Sequence, residues 1–532
     1  MARRGGAWLG SAVLALALAG SAPVPAQAAE PSPAALMAQV KAATGGVRWD
    51  GVGVVSAVGE KASFGLAGPY RSSEDLLSGH FSRRADYPLF SNAEGLDQAG
   101  RWRMDDSGGV HPLDSEEART VAVTEAYLAA RGYLFPQRAA AVLAAQAPAT
   151  EGDQVFDRVL ATPPGGRAVS LWIRRADHRL DRAIIGVGDH DQVVRYRDYR
   201  LAEGLVLPFD VATDNGDQQE TGDARISRYS LDEAPTAELR RPPAGPQDAV
   251  IAGGAPVAYA PFRLDPMSGF PIVEARINGR GPLLFILDTG GHDILTPAAA
   301  QMLGLPLSGS GFSRGAGQGS TPTQFTKVAT VDLGGAQMSD QPFVVLHLDL
   351  GQAAGAGNRP TAISGIIGLE LFERFSATLD YAAGRLALRL ATSDGNPEGA
   401  PIRFTSDMPL AEASIDGRSG WFGLDTGNNT DVILFKAWVE AKGSPSWFDV
   451  TVDAGGTGVG GTLAFRRGRA GTLSLAGMEQ QGLPVLLAGD HMGGLSSRAE
   501  AGNIGESVLS HYLVTFDYAH ERVRLEPPSP RP

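Results

Sequence analysis

The sequence contains no cysteine among its 532 residues. A chain without cysteine forms no disulfide, carries no lipoprotein-type acyl group and uses no thiolate in catalysis, so its stability must come from packing. Its nine histidines show neither an HExxH motif nor any other close ligand spacing. Because metal sites are recognised in sequence by such spacing, the sequence predicts no metal site.

Long apolar runs are also scarce, and the clearest one lies at the start. Arg3 and Arg4 precede an apolar stretch over 7–19, and small residues for cleavage follow at 26–28. The stretch has about 13 residues, fewer than the roughly 20 that a membrane-spanning helix needs. We therefore expect a signal peptide over 1–28, no transmembrane segment after its removal, and a periplasmic or secreted location in a bacterium.

Positive charge is in deficit, with 46 Lys and Arg residues against 59 Asp and Glu residues and a formal net charge of −13. We therefore expect no nucleic-acid partner, since such binding usually rests on a positive field. Hydrophobic residues at 43% and charged residues at 20% are typical of a soluble globular protein. The 68 glycines and 35 prolines favour strands joined by turns, so the expected fold class is mainly β.

The region 29–240 is predicted to form an antiparallel-sheet accessory domain of the α+β type. Segments such as 169–173 and 193–199 alternate apolar and polar residues, which is typical of strands with one buried face. One helix is predicted over 115–131, because Ser115 can cap its start and acidic residues occupy its first turn.

Beyond a linker predicted over 241–257, three landmarks recur in one register, since the differences 425 − 288, 502 − 365 and 517 − 380 are equal. The landmarks are Asp-Thr-Gly at 288–290 and 425–427, Gly-X-Ile-Gly at 365–368 and 502–505, and Asp-Tyr at 380–381 and 517–518. Three matches in one register indicate a duplication. We predict two lobes, at 258–395 and 396–532.

Each Asp-Thr-Gly segment is predicted to follow a buried strand of a hairpin. Asn278-Gly279 and Asp416-Gly417 are strong hairpin-turn signals, and alternating apolar residues precede both. Apolar residues after each turn lead to the aspartate. We therefore expect both aspartates in turns that point into a cleft.

Asp288 and Asp425 are the predicted catalytic pair. If the two lobes pack face to face about a pseudo-two-fold axis, both carboxyl groups reach one point on it. Two carboxyl groups about 3 Å apart cannot both ionise cheaply, so one keeps a proton while the other stays anionic. Such a pair can activate a water for attack on a peptide carbonyl without a metal or an organic cofactor. The sequence leaves open which carboxyl group holds the proton.

Four neighbours are predicted to support the pair. Gly290 and Gly427 allow the backbone to approach the carboxylates closely, because glycine has no side chain. The hydroxyl groups of Thr289 and Thr426 can form hydrogen bonds across the interface between the lobes. The threonines are therefore expected to hold the geometry and not to react.

The chain around both aspartates resembles the retropepsin-like and pepsin-like aspartic peptidases. The resemblance rests on hydrophobic-Asp-Thr-Gly at 287–290 and 424–427 and on hydrophobic-hydrophobic-Gly at 366–368, and it covers about 258–528. It implies two tandem closed β-barrel-like lobes in a pseudo-two-fold bilobed unit, and endopeptidase activity on an extended polypeptide. Because one chain supplies both aspartates, a monomer is expected.

The resemblance also implies hairpin flaps over the substrate. Gly315 and Gly317 in the first lobe, and Gly456 and Gly458 in the second, fall where such flaps would lie. We predict that they contact substrate, with ordinary flexible loops as the alternative interpretation.

The sequence departs from the family pattern at three positions near the aspartates. Gly291 and Asn428 follow the two Asp-Thr-Gly segments where Ser or Ala is usual, and Asn503 interrupts the second hydrophobic pair. Neither predicted flap carries an evident tyrosine. His292 and Asp293, beside the first aspartate, have no counterpart in the second copy and are interpreted as a solvated rim.

Two further functions stay open. A non-catalytic peptide or lipopeptide binding protein of the cell envelope would retain the lobes as a clamp. The region 30–240 resembles the periplasmic lipoprotein-carrier fold, a curved antiparallel sheet, which is consistent with an envelope carrier in which the lobes are regulatory.

Overall fold

The structure is a computed structural model. It describes residues 31–187, 190–214, 222–242, 248–266, 268–313, 315–317, 319–348, 350–355, 359–392, 398–405, 407–443, 452–489, 493–498 and 500–530. The signal peptide expected over 1–28 lies outside the described residues.

Strands dominate the described chain, which confirms the mainly β fold class. The α-helices of the described part are α1 (Pro33–Thr44), α2 (Glu116–Ala129), α3 (Pro297–Leu303), α4 (Leu369–Arg374), α5 (Lys436–Lys442) and α6 (Glu506–Leu509). Helix α2 confirms the helix predicted from sequence. It begins after Ser115, whose side chain accepts a hydrogen bond from the backbone N–H of Ala118, as in other capped helices.

The first part of the chain forms one antiparallel sheet of 13 strands. Its strands are β1 (Val54–Ser63), β2 (Leu66–Asp75), β3 (Phe81–Asp86), β4 (Ser91–Asp97), β5 (Gly100–Met104), β6 (Val110–Pro112), β7 (Val142–Glu151), β8 (Gln154–Thr162), β9 (Val169–Arg174), β10 (Leu180–Val187), β11 (His190–Ala202), β12 (Leu205–Asp214) and β13 (Gly222–Leu231). Strand β1 pairs with both β2 and β13, so the sheet continues in sequence order on either side of it. Alternation in β9 buries Val169, Leu171 and Ile173 on one face, as predicted.

Strands of the region 249–390 include a closed barrel. They are β14 (Ala249–Ile251), β15 (Ala258–Leu264), β16 (Pro271–Ile277), β17 (Arg280–Leu287), β18 (Ile294–Leu295), β19 (Ser308–Ser313), β20 (Thr321–Leu333), β21 (Ala336–Leu346), β22 (Gln352–Ala354), β23 (Pro360–Ile367), β24 (Phe375–Asp380) and β25 (Arg385–Leu390). The pairings β16–β17, β17–β23, β23–β18, β18–β21, β21–β20 and β20–β16 close a ring of six strands.

The last part of the chain is a further set of strands. They are β26 (Ala400–Phe404), β27 (Pro409–Ile415), β28 (Arg418–Leu424), β29 (Val432–Leu434), β30 (Val452–Gly458), β31 (Gly461–Arg469), β32 (Thr472–Leu475), β33 (Met478–Gln481), β34 (Pro484–Ala488), β35 (Gly502–Ile504), β36 (Leu513–Asp517) and β37 (Arg522–Glu526). Here β27 pairs with β28 and β32, β28 and β29 both pair with β35, and β29 and β31 both pair with β34. Strand β24 pairs with β36, which joins this set to the preceding one.

Two tight turns support the strands that lead to the aspartates. Asn278 and Gly279 have φ values of 51° and 73°, and Asp416 and Gly417 have φ values of 48° and 75°. This left-handed backbone matches the twist of a two-residue hairpin and favours Asn, Asp and Gly. The hairpins predicted at both places are confirmed.

The N-terminal sheet contacts the barrel through an aromatic contact. The rings of Phe64 and Phe325 lie 5.4 Å apart between centroids, edge to face. The backbone N–H of Ser310 donates a 2.7 Å hydrogen bond to the carbonyl oxygen of Phe64. The turn between β1 and β2 is therefore attached to the hairpin β19–β20.

A second contact between the two regions is polar. Arg374 of α4 is buried, and its guanidinium group donates to the carbonyl oxygen of Ser107 and to both carboxylate oxygens of Asp248. Arg403 of β26 pairs with Asp114, just before α2. The bond to Ser107 ties the N-terminal region to α4, and the Arg403–Asp114 pair ties it to β26.

Among the described residues, helices that could span a membrane are absent.

Candidate active site

Asp288 and Asp425 each follow a strand that pairs in parallel with a later strand. Strand β17 pairs with β23, and the N–H of Asp288 donates to the carbonyl oxygen of Ile367 at 2.9 Å. Strand β28 pairs with β35, and the N–H of Asp425 donates to the carbonyl oxygen of Ile504 at 3.0 Å. Both aspartates therefore start from equivalent positions at the ends of buried strands.

Thr289 and Thr426 join the two loops by reciprocal hydrogen bonds. The N–H of each threonine donates to the hydroxyl oxygen of the other at 3.0 Å. Each hydroxyl group then donates at 2.7 Å to a carbonyl oxygen of the opposite strand, that of Leu424 or Leu287. Both threonines are fully buried, so these four bonds fix the loops against each other without competition from water.

The two glycines leave room for the opposite carboxyl group. A Cβ atom built on Gly427 would lie 2.4 Å from the carboxyl carbon of Asp288, and one on Gly290 would lie 2.9 Å from that of Asp425. Real Cβ atoms do not approach other heavy atoms so closely, because of steric repulsion. Each carboxyl group thus lies against the loop that carries the other.

The hydrogen bonds to the two carboxyl groups differ. Oδ1 of Asp288 accepts from the N–H of Gly290 at 2.7 Å. Oδ1 of Asp425 accepts from the N–H of Asn428 at 3.0 Å, and its Oδ2 accepts from the side-chain amide of Asn503 at 2.7 Å. The side-chain N–H of Asn428 in turn donates a 2.7 Å hydrogen bond to Oδ1 of Asn503, which fixes the orientation of the Asn503 amide.

This difference affects the pKa of each carboxyl group. Burial, and then the charge of Asp425, raise the pKa of Asp288 to about 8. Burial also raises the pKa of Asp425, but the amide of Asn503 opposes that rise because it stabilises the anion. These contacts favour the proton on Asp288 and the charge on Asp425, a choice that the sequence left open.

Asn503 is a site residue that the sequence did not predict. It was identified only as an interruption of an apolar pair, yet it is buried and its side chain contacts a candidate catalytic carboxylate. The equivalent position of the first copy holds Ile366. A polar residue where the first copy is apolar, directly beside the aspartate loop, was the available signal.

The glycine-rich hairpin tips meet each other. The N–H of Gly317 donates to the carbonyl oxygen of Val459, and the N–H of Gly319 donates to that of Gly460, both at 2.8 Å. Gly315 and Gly317 lie at this contact, and a Cβ built on Gly458 would lie 3.1 Å from that of Ala316. Gly456 lies further back, in β30, opposite Leu463.

The interpretation as a solvated rim is wrong for Asp293, whereas His292 is partly exposed. Asp293 is buried and its Oδ1 accepts from the N–H of Gly368 at 2.8 Å. The ring of His292 bonds to Glu370 at 2.8 Å and to Asp407 at 3.2 Å. Both residues hold the loop after Gly290 against α4. The absence of a counterpart in the second copy therefore did not indicate exposure.

A comparison with known families finds a match for the part of the chain that contains the first Asp-Thr-Gly segment. Residues 273–371 match the model of an aspartyl protease family. The matched segment contains Asp288 and runs from β16 into α4, so it confirms the resemblance predicted for this part of the chain. No curated protein matches the chain.

Several solved structures are similar to parts of the chain. A retropepsin-like aspartic protease from Rickettsia conorii is 22% identical, with 25% of this chain and 92% of that chain covered and a TM-score of 0.19. A putative outer membrane lipoprotein-sorting protein domain from Vibrio parahaemolyticus is 10% identical, with 38% and 94% covered and a TM-score of 0.27. A LolA superfamily protein from Nitrosomonas europaea is 13% identical, with 35% and 89% covered and a TM-score of 0.25.

Proposed function

We propose that the chain is an aspartic-type endopeptidase in which Asp288 and Asp425 share one proton and activate a water. The observation that carries this proposal is the position of each carboxyl group against the glycine of the opposite loop, with the two loops joined through Thr289 and Thr426. Two carboxyl groups so placed take different protonation states, which is the requirement for acid and base in one step. The match of 273–371 to an aspartyl protease family agrees with this chemistry.

The protonation states assign a role to each aspartate. The anionic carboxylate of Asp425 takes a proton from the water as the water oxygen attacks the peptide carbonyl carbon. The carboxyl group of Asp288 donates its hydrogen bond to the carbonyl oxygen, where negative charge develops. Asp425 then passes the proton that it took from the water to the amide nitrogen, and the C–N bond breaks as the carbonyl double bond re-forms. The step needs neither a metal nor an organic cofactor.

We further propose that two tandem lobes, at 258–395 and 396–532, form the bilobed unit, after an accessory domain at 29–240 and a linker at 241–257. The pairings that support this are equivalent in the two lobes: β17 with β23 and β28 with β35 are both parallel, and β18 and β29 both pair with two strands of their own lobe. In this arrangement one chain supplies both aspartates, so a monomer is sufficient.

The substrate in this proposal is an extended polypeptide of the periplasm or the cell exterior. The hairpins β19–β20 and β30–β31 would cover it, with Gly315, Gly317, Gly456 and Gly458 next to its backbone. Because the two tips now bond to each other, they must separate for a polypeptide to enter.

The proposal is tested with unfolded casein. The purified protein and its Asp288→Asn and Asp425→Asn variants are incubated with casein from pH 3 to pH 9, and peptide release is followed with and without pepstatin. Loss of either carboxyl group should reduce cleavage by about 10²–10⁴-fold, the usual contribution of a general acid or base. Asp340→Asn, at an exposed position of β21, is the matched control and should cleave like the wild type.

A folded wild-type protein that releases no peptide at any pH would refute the peptidase. Binding of peptide or lipopeptide that survives both substitutions would then support the envelope binding protein instead. Cleavage that persists in both variants would place the activity outside this pair of aspartates.

A further inference from the structure

Three side chains capable of binding a metal lie together between the N-terminal sheet and the barrel. Asp105 follows β5, His111 lies in β6, and Glu373 lies in α4. One ligand atom from each lies within 4.8 Å of the other two. Asp105 is 1% exposed and His111 is 7% exposed, so the group is closed off from solvent.

Two carboxylate oxygens of this group form no hydrogen bond with the described residues. They are Oδ2 of Asp105 and Oε2 of Glu373. A buried carboxylate oxygen without a donor is costly, because it has lost its hydration and gained nothing in return. A cation between Asp105 and Glu373 would satisfy both oxygens and would offset the repulsion between the two carboxylates.

Two of the donor atoms already lie near the separation that one metal ion requires. Nδ1 of His111 and Oε1 of Glu373 form a 3.1 Å hydrogen bond, which coordination would replace. Two ligand atoms of a tetrahedral zinc ion, each about 2.0–2.2 Å from the metal, lie roughly 3.3–3.6 Å apart. Only a small movement would therefore place both atoms on the same ion.

Neighbouring groups orient Asp105 and His111 in the way that hydrogen bonds usually orient metal ligands. Oδ1 of Asp105 accepts from the N–H groups of Ser107 and Gly109, both at 2.9 Å, which leaves Oδ2 for another partner. Nε2 of His111 lies 3.6 Å from Oδ1 of Asp407. A carboxylate behind the second nitrogen of a ligand histidine orients the ring and raises its basicity.

The guanidinium group of Arg374, close to Glu373, already has other partners. Its Nη1 lies 3.6 Å from Oε2 of Glu373 but donates to the carbonyl oxygen of Glu370 at 3.0 Å, and its Nε and Nη2 donate to Asp248 at 2.9 and 2.8 Å. Arg374 therefore does not take the place of an ion between Asp105 and Glu373.

We propose that Asp105, His111 and Glu373 bind a divalent transition-metal ion that joins the N-terminal sheet to α4. One imidazole and two carboxylates form a donor set that suits Zn²⁺ best, since imidazole favours zinc over magnesium and calcium. Asp407 serves as the partner of the histidine. This site goes beyond the proposed peptidase, because it shares no residue with the pair of aspartates. Glu373 lies far along the chain from Asp105 and His111, so no sequence spacing could reveal the whole group.

The first test measures metal content in the full-length protein. Wild type, His111→Gln and Glu373→Gln are stripped with EDTA, dialysed against Zn²⁺ and analysed by mass spectrometry for retained zinc. The wild type should retain one zinc per chain, and each variant should bind zinc at least about 10-fold more weakly. His80→Gln, just before β3 of the same sheet, is the control and should bind zinc like the wild type.

The second test measures the unfolding temperature with Zn²⁺ or Mg²⁺ added to the stripped protein. An ion that binds only the folded state stabilises it, so zinc should raise the Tm of the wild type by about 2 °C or more, and magnesium should not. The rise should be lost in His111→Gln. If a variant does not fold, the wild-type protein alone still tests the proposal. A wild-type protein that retains no zinc and shows no rise in Tm overturns it. Equal zinc retention by all variants would also overturn it, because the ion would then lie elsewhere.

Discussion

The side-chain amide of Asn503 donates a 2.7 Å hydrogen bond to Oδ2 of Asp425. The equivalent position of the first copy, which carries Asp288, holds the apolar residue Ile366. The two aspartates are therefore alike in backbone position but different in electrostatic environment. The amide favours the anion of Asp425, whereas burial and then the charge of Asp425 raise the pKa of Asp288 and favour its protonated form. In the proposed mechanism, this one departure from the repeat would account for the division between acid and base.

Replacing this donor should change the pH dependence of cleavage. In Asn503→Leu, which conserves volume, the anion of Asp425 loses a hydrogen bond, so its pKa rises and the acidic limb of the pH–rate profile moves to higher pH. A hydrogen bond to a charged group contributes about 1.5–3 kcal/mol, so casein cleavage at the acidic end should fall by about tenfold. Asn429→Leu, whose exposed side chain bonds to the carbonyl oxygen of Ser268, is the control. An unchanged acidic limb in Asn503→Leu would contradict this role.

The raised pKa of Asp288 should also make stability depend on pH. Its pKa is about 8 in the folded protein, against an ordinary value of 3.8, so the folded state binds this proton more tightly than the unfolded state does. Stability should therefore fall as pH rises between those two values. Urea unfolding at pH 5 and at pH 9 should show a larger loss of unfolding free energy in the wild type than in Asp288→Asn. Equal losses in the two proteins would mean that Asp288 titrates normally.

The rate of cleavage should also fall at alkaline pH, for the same reason as the stability. The pair needs one proton, which Asp288 loses as pH rises through about 8. We therefore expect activity to persist at neutral pH and to decline as pH rises above about 8. A rate of casein cleavage that is already lost by pH 6 would show that the proton is held less tightly.

The threonine network should be cooperative. Thr289→Val or Thr426→Val removes a hydroxyl group and leaves the N–H of the other threonine without its acceptor, at a cost of about 1–3 kcal/mol of unfolding free energy. The double variant should lose less than the sum, because both changes remove the same network. Thr330→Val, at an exposed position of β20, is the control and should change stability by no more than about 0.5 kcal/mol. Strict additivity would mean that the loops are held independently.

Gly427→Ala should reduce activity without unfolding the protein. The new Cβ would lie 2.4 Å from the carboxyl carbon of Asp288, so that carboxyl group must move. Since a displacement of about 1 Å can cost about 10²-fold in rate, we expect a loss of that order in casein cleavage. Gly51→Ala, where the nearest atom to the built Cβ is 3.9 Å away, is the control. Full activity in Gly427→Ala would show that this approach is not needed.

Local patterns predicted much of the fold. The turns at Asn278 and Asp416, the cap of α2 at Ser115 and the alternation in β9 depend on neighbours in sequence, and all of them are confirmed. The proximity of Asp288 and Asp425 could be predicted for another reason. An internal repeat indicates two similar lobes, and two similar lobes related by a two-fold axis bring equivalent residues together.

Contacts that are neither local nor repeated could not be predicted. Asn503 contacts Asp425 from 78 residues away, and His111 contacts Glu373 from 262 residues away. The burial of Asp293 depends on α4, which comes much later in the chain. Each of these contacts depends on how separate elements pack, and a single sequence contains no periodic signal for that.

The contact between Phe64 and the hairpin β19–β20 has a thermodynamic consequence. This hairpin touches the N-terminal sheet at one end and, beyond β19, the opposite tip at Val459. If separation of the tips weakens the bond between Ser310 and Phe64, a ligand that binds the N-terminal sheet and strengthens this bond makes opening harder. Because linkage between two binding events is reciprocal, a polypeptide in the cleft would weaken that ligand by the same factor. The accessory sheet would then be an effector domain, and the hairpin the element through which the two sites exchange free energy.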